Sequence, residues 1–311
     1  MSLDITISGV SIIRGNPKID TELFKAELSI IDKGPYELNR VQKIAAIAFV
    51  KSLSDAGITL NESNRKRISI FLGNSYAIEE FKATFLKSYK NTKPGLVNPS
   101  TFTFTTANSI SSWLGMLFGI RGINLTFTNG CISSSQAIIA GCDSIISGKS
   151  DIAVVGGISL ICEDLNDEFY KSGFRHEYAG FLVLEKKNDL INIEKKPLII
   201  IEDFLQGFLS QVSIEALNDR RLPKELEKYR HHSDTVSALL HLGNSLRKNK
   251  FSYYDEKQKQ GRVSAVTYLN DQLGNVFSAA AIAGISCIDK KSVFFDVDSY
   301  GAYVALKINA K

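Results

Sequence analysis

A chain of 311 residues, 44% of them apolar and 23% charged, has the hydrophobic content for a large core, which excludes a disordered chain or a small disulfide scaffold. The formal charge of +4 at pH 7 is mild. Basic and acidic residues are interspersed, without the long basic, aromatic-laced stripe of a nucleic-acid surface.

In chain order, Asp4–Ile13 reads as a strand. Val41–Gly57 places apolar residues at helical spacing and ends on a glycine suited to a C-cap. Arg67–Leu72 (RISIFL) reads as a short buried strand, Asn98–Thr106 as extended chain and Ser109–Phe118 as a helix. The clearest unit follows. Asn124–Thr128 (NLTFT) is a strand and Asn129–Gly130 a turn. Ser133–Ser147 is a helix with Ile138, Cys142, Ile145 and Ile146 on one face, closed by Gly148, and Asp151–Val155 (DIAVV) is a strand running into Gly156–Gly157. Strand, turn, helix and strand make a βαβ unit, which requires a parallel sheet covered on both faces. Residues 213–261 are polar and charged and read as outer helices and loops. The earlier arrangement then returns: strand Arg262–Tyr268 (RVSAVTY), turn Gly274–Asn275, alanine-rich helix Phe277–Ile288 and strand Ser292–Val297. The shared order, and the shared glycine ahead of the helix, point to a duplicated fold.

No apolar run reaches the ~18–20 residues of a membrane span, and no charged start leads into an apolar stretch of signal-peptide type, so the cytoplasm is the expected compartment. The four cysteines, at 131, 142, 162 and 287, lack C-x-x-C or metal-ligand spacing, so neither disulfides nor zinc is expected. Cys131 sits between a strand and a helix. Unpaired first-turn N–H groups and the positive end of the helix dipole stabilise an anion there, which lowers a thiol pKa and provides for an oxyanion. The small residues Ser133, Ser134 and Ser135 would let a substrate approach. A buried core cysteine fits the same position. Cys142 and Cys287 read as core.

Here the residues meet a known pattern. Val97–Ser159, with Asn98-Pro99, Asn108, the Gly119-to-Gly122 turn, the strand into Cys131, the serine run and the strand ending in Gly-Gly, resembles the central segment of the β-ketoacyl synthases. AGFLVLE (Ala179–Glu185) is similar to the strand closing that family's first half, and GNVFSAAAIAG (Gly274–Gly284) to the segment opening its second-half helix. The resemblance implies an α/β, thiolase-like five-layer αβαβα fold of two similar halves. These would be residues 1–190, carrying the Cys131 turn, and a shortened half, 191–311. It also implies a dimer across the strand before Cys131, with Phe102, Phe104, Trp113, Met116 and Phe118 as candidates for the interface or tunnel walls; ordinary core fits each of them equally well.

The chain departs from the family pattern where condensation is catalysed. The enolate formed on decarboxylation is stabilised in ketosynthases by two histidines, one in a His-Gly-Thr-Gly-Thr loop and one in a Gly-His pair. This chain has four histidines and no such loop. Gly274–Asn275 stands at the Gly-His place, Asn270 or a neighbour replaces the usual lysine, and the gate loop is reduced to Ser299–Ala302. The ketosynthase III and chalcone synthase branch uses a Cys-His-Asn set, and Asn275–Ala279 resembles its asparagine segment. His241 has a compatible spacing, yet SDTVSALLHLGNSL (residues 233–246) reads as a helix, which argues against it. His176 lies where the family has a loop near the pocket; His231 and His232 read as solvated.

The resemblance therefore implies a chain-length-factor-like partner subunit of a type II polyketide or fatty-acid-type synthase. It would pair with an active ketosynthase and shape the acyl-chain tunnel without condensing anything itself, although chain-length factors often lose the cysteine kept here. The alternative is an active acyl-carrier-protein-dependent condensing or acyl-transfer enzyme, with Cys131 as nucleophile and Asn275 and His241 beside it. A homodimeric scaffold is a third reading. Implied partners are a ketosynthase subunit or a second copy, and an acyl carrier protein presenting acyl groups on its phosphopantetheine arm. No other cofactor and no metal is implied.

Overall fold

The computed structural model describes residues 3–15, 18–31, 38–91, 99–162, 164, 176–187, 199–209, 235–241, 265–268, 279–289, 291–298 and 302–310. Its strands are β1 (Ile5–Gly15), β2 (Ile68–Asn74), β3 (Asn124–Phe127), β4 (Ile152–Ser159), β5 (Glu177–Lys186), β6 (Ile199–Phe208), β7 (Thr235–His241), β8 (Ala265–Tyr268), β9 (Ser292–Asp298) and β10 (Ala302–Ala310). The α-helices are α1 (Lys25–Ile31), α2 (Arg40–Ala56), α3 (Glu79–Asn91), α4 (Ser109–Phe118), α5 (Ser133–Ile146) and α6 (Ala280–Ile285).

The strands form one ten-stranded sheet in the order β3-β2-β4-β5-β1-β6-β10-β9-β7-β8. Read outward from the β1–β6 junction, each side has the same sequence of positions, so the fold is a duplication. β2, β3 and β4 run parallel, as do β7, β8 and β9, while β1, β5, β6 and β10 pair antiparallel. The junction is short: Ile5, Thr6 and Ile7 pair with Ile201, Ile200 and Ile199.

Both faces of β2, β4 and β5 are buried, which is why these strands are almost continuously apolar. One face carries Ile68, Ile70, Leu72, Ile152, Val154, Phe181 and Val183 against α2 and α4. The other carries Phe71, Ala153, Val155, Leu182 and Leu184 against α5 and α6. That inner cluster also contains Ile201, Phe294, Val304, Leu306 and Ile308 from the second half. The central helices are therefore sandwiched between two sheet halves, and α6 is alanine-rich because it packs against both. Four layers of the thiolase-like fold lie in the described residues. The helices expected outside the second half fall beyond them.

Several expectations are met to the residue. α4 spans Ser109–Phe118, α2 ends on Gly57 in the left-handed region (φ 72°), and Gly148 (φ 69°) follows α5. Four are corrected. Asn98–Thr106 is not extended, because Pro99–Thr105 forms a 3-10 helix. Within the stretch 233–246, read as a helix, the described part, Thr235–His241, is a strand held between β8 and β9. Ile146 is 43% exposed, off the buried face of α5, and Cys287 is exposed just past the end of α6.

Candidate active site

The Cys131 turn begins at the end of β3. A 3-10 turn, Gly130–Ile132, leads directly into α5, and Gly130 sits at φ 60°, where a side chain would be strained. Gly73, at the end of β2, lies so close beneath the helix that a Cβ there would be 2.4 Å from the Ser134 nitrogen. Cys131 is half-buried and joins a small apolar cluster with Ile161 and Cys162, beyond β4, and Ala83 of α3. The Gly130 carbonyl accepts from the Ser133 N–H, from the Ser133 hydroxyl at 2.7 Å and from the Ser75 hydroxyl at 2.8 Å.

The serine run does not open a path for substrate. Ser133, Ser134 and Ser135 are completely buried. Their hydroxyls join the two halves instead. Ser134 Oγ accepts the Ala281 N–H at 3.2 Å, and Ser135 Oγ donates to the buried carboxylate of Asp296 on β9. On β4, Ser159 Oγ accepts the Ala279 N–H at 3.2 Å. The first N–H groups of α6 have no partner within their own helix, so serines of the first half cap the second-half helix. The N-termini of α5 and α6 are thereby held side by side.

A partly buried ion pair supports the wall of the site. Glu177, fully buried at the head of β5, pairs with Arg40, which also approaches Glu80 at 3.7 Å. Its two oxygens accept the Ile161 N–H at 2.8 Å and the Ile19 N–H at 2.7 Å. Ile161 belongs to the cluster against which Cys131 packs. On the opposite face of β5, the Tyr178 ring lies 5.3 Å beneath the Arg14 guanidinium, and burial raises the pKa of its hydroxyl. His176 is held below the usual histidine range by burial and then by the Arg14 charge. Burial likewise pushes the Cys142 thiol well up, as expected of core.

Of the residues singled out from sequence, Cys131 lies at the helix start as expected. His241 is the last residue of β7, paired in register with Asp298. This removes the argument made against it from a helical reading. Asn275 lies outside the described residues, between β8 and α6. That interval corresponds in the duplication to the one between β3 and α5 that holds Cys131. Asn270, His231, His232 and residues 299–301 also lie outside, although the Ala302 N–H donates to Asp298 Oδ1 at 2.9 Å where β10 begins. Phe102 and Met116 are 56% and 75% exposed. Phe104 stacks on Phe81, Phe118 stacks on Phe49, and Trp113 packs on the outer core. Sequence reasoning missed Ser75, Glu177 and Asp296. For the last two the signal was a carboxylate within an otherwise apolar strand.

A duplicated mixed sheet around two central helices, with a cysteine at the start of the first, defines the thiolase-like α/β class. Residues 11–173, more than half of the chain, match the β-ketoacyl synthase N-terminal domain. The protein belongs to the β-ketoacyl synthase family. It is 29% identical over 198 residues to probable polyketide synthase 40 and 33% identical over 160 residues to probable polyketide synthase 31, both of Dictyostelium discoideum. Those matches cover 58% and 45% of this chain and 7% and 6% of the relatives, so the chain spans a small part of their length. Among solved structures it is similar to a chain from a type II polyketide synthase acyl-carrier protein in complex with its ketosynthase (TM-score 0.73, 16% identical, 99% of both chains). It is also similar to a chain of the ishigamide ketosynthase/chain length factor (TM-score 0.70, 13% identical, 99% of both chains).

Proposed function

We propose that this chain is a ketosynthase-like partner subunit that pairs with an active ketosynthase and lines the tunnel of the growing acyl chain, itself condensing nothing. The observation that carries this reading is β3. Among the described residues it is an edge of the ten-stranded sheet, with Leu125 47% exposed and Met116 of the neighbouring α4 75% exposed, and it runs straight into the Cys131 turn. The surface open to a second chain and the acyl site are thus consecutive on one strand. The Gly-His place, filled by Gly274–Asn275, supports a reduced condensing capacity. In this reading the halves are residues 1–190 and 191–311, acyl groups arrive on the phosphopantetheine arm of an acyl carrier protein, and the complex is cytoplasmic.

One observation favours a second reading, an active acyl-transfer enzyme. His241 ends a strand, β7, rather than lying within a helix, which supports reading Cys131, His241 and Asn275 as a Cys-His-Asn set. Intact-mass analysis after incubation with acylated carrier protein, with and without a candidate ketosynthase, separates the two. Co-purification as a heterodimer, with elongated product formed only in the presence of the partner, supports the partner role. A Cys131-linked thioester that is lost in Cys131→Ala, together with turnover by the isolated chain, overturns it.

A further inference from the structure

Ser75 and Ser133 lie far apart in sequence, but their hydroxyls converge on one atom, the Gly130 carbonyl oxygen. The Ser133 bond is local to the start of α5. The Ser75 bond comes from another element, the turn after β2, which Gly73 brings up against the helix. A local cap would not need Ser75. The peptide joining Gly130 to Cys131 is planar and trans, so the Cys131 N–H points opposite to that carbonyl. With the carbonyl fixed toward the body of α5, the N–H is fixed outward from the helix start. Hydrogen bonds accepted by a carbonyl also polarise its amide and strengthen the N–H as a donor.

We propose that Ser75 is a positioning residue: it fixes and polarises the Gly130–Cys131 peptide so that the Cys131 N–H receives the oxyanion formed during acyl transfer. This rests on reading Cys131 as an acyl acceptor. In that transfer the Cys131 sulfur bonds to the carbonyl carbon of a carrier thioester, and the carbonyl π pair moves to oxygen as the oxyanion. Collapse of the oxyanion breaks the carbon–sulfur bond to pantetheine, and the proton given up by the Cys131 thiol ends on the departing pantetheine thiol.

Two reactions of the same sulfur test this. Alkylation by iodoacetamide expels iodide without forming an oxyanion, so it reports only thiol availability and access. Acylation by an acyl carrier protein thioester requires the oxyanion. Both are followed at Cys131 by peptide mass spectrometry on the full chain. Removing one oxyanion donor costs about 10²–10³ in rate, and misdirecting one, as in Ser75→Ala, is expected to cost at least about 10-fold in acylation. Alkylation should stay within about two-fold, and Ser75→Thr, which keeps a hydroxyl, should recover most of the loss. Equal slowing of both reactions, or no recovery with threonine, means that Ser75 only supports folding and overturns the inference. So does Ser75→Ala acylating at the wild-type rate. A wild-type chain that alkylates yet takes no acyl group overturns the reading of Cys131 itself, and the inference falls with it.

Discussion

Gly73→Ala tests how tightly the Cys131 helix is seated. The new Cβ would lie 2.4 Å from Ser134 N, 2.6 Å from Ser133 C and 2.7 Å from Ser134 Cα, all backbone atoms with no side chain to rotate away. Ordinary contact begins near 3.4 Å, so the first turn of α5 or the end of β2 must retreat by about 1 Å. Over-packing of this kind costs about 1–3 kcal/mol. The same retreat stretches the Ser134 bond to Ala281 and the Ser135 bond to Asp296, and a misplacement of about 1 Å near reacting groups can lower a rate about 10²-fold. Urea unfolding should show a lower midpoint at unchanged m-value, and Cys131 acylation by a carrier thioester should slow by about two orders of magnitude. Gly148→Ala is the control. Nothing lies within 4 Å of its Cβ, and only its φ of 69° is unfavourable, so it should lose about 1–2 kcal/mol with acylation unchanged. A Gly73→Ala protein within about 0.5 kcal/mol of wild type, acylating normally, would refute the idea that α5 is seated directly on β2.

Glu177→Ala leaves Arg40 without its buried partner and the Ile19 and Ile161 N–H groups without an acceptor. A loss of about 3 kcal/mol is expected, and a double-mutant cycle with Arg40→Ala should return a coupling well above the ~0.5 kcal/mol of independent sites. Glu202 is held below the usual carboxylate range chiefly by its hydrogen bond to Lys307. Its folded pKa is depressed, so its contribution of about 1 kcal/mol is present above the unfolded glutamate value and disappears as pH falls through the lower folded one. Glu202→Gln should remove that part of the acid dependence in pH-resolved unfolding, and an unaltered acid limb would count against it. Leu125→Lys places a charge on the exposed edge strand, so co-purification with a ketosynthase should be lost while stability stays within about 0.5 kcal/mol and Cys131 alkylation is unchanged.

What was legible in the sequence was local. Apolar periodicity, a glycine C-cap and a strand-turn-helix junction identified α2, α4, α5 and the Cys131 turn, because each is stabilised by neighbours within a few residues. Thr235–His241 defeated the same logic. Ser233 or Asp234 ahead of Val236, Leu239 and Leu240 imitates a capped helix, and a short apolar run is ambiguous between helix and strand; pairing with β8 and β9 decides it. Pro99–Thr105 looked extended from its threonines and phenylalanines. Proline suits the first helical position, and Thr105 and Thr106 bond back to Phe102 and Thr103. The supports of the site were hidden because their partners are distant: Ser75 lies 55 residues from Gly130, Glu177 158 from Ile19, and Asp296 161 from Ser135.

The central place of β1 governs how the chain must be made. β1 is synthesised well before its partners: its main partner, β5, spans Glu177–Lys186, and its other neighbour, β6, begins at Ile199. At about 5–20 residues per second, β1 waits roughly ten to thirty seconds on the ribosome before either edge is covered. During that interval ITISGVSIIRG is an eleven-residue strand, rich in isoleucine, with both ladders open, the kind of segment that templates association between nascent chains. Slower decoding between β1 and β5 would lengthen this exposure. Yield in the cell should therefore depend on chaperone capture of the β1 segment more than on the stability of the finished sheet.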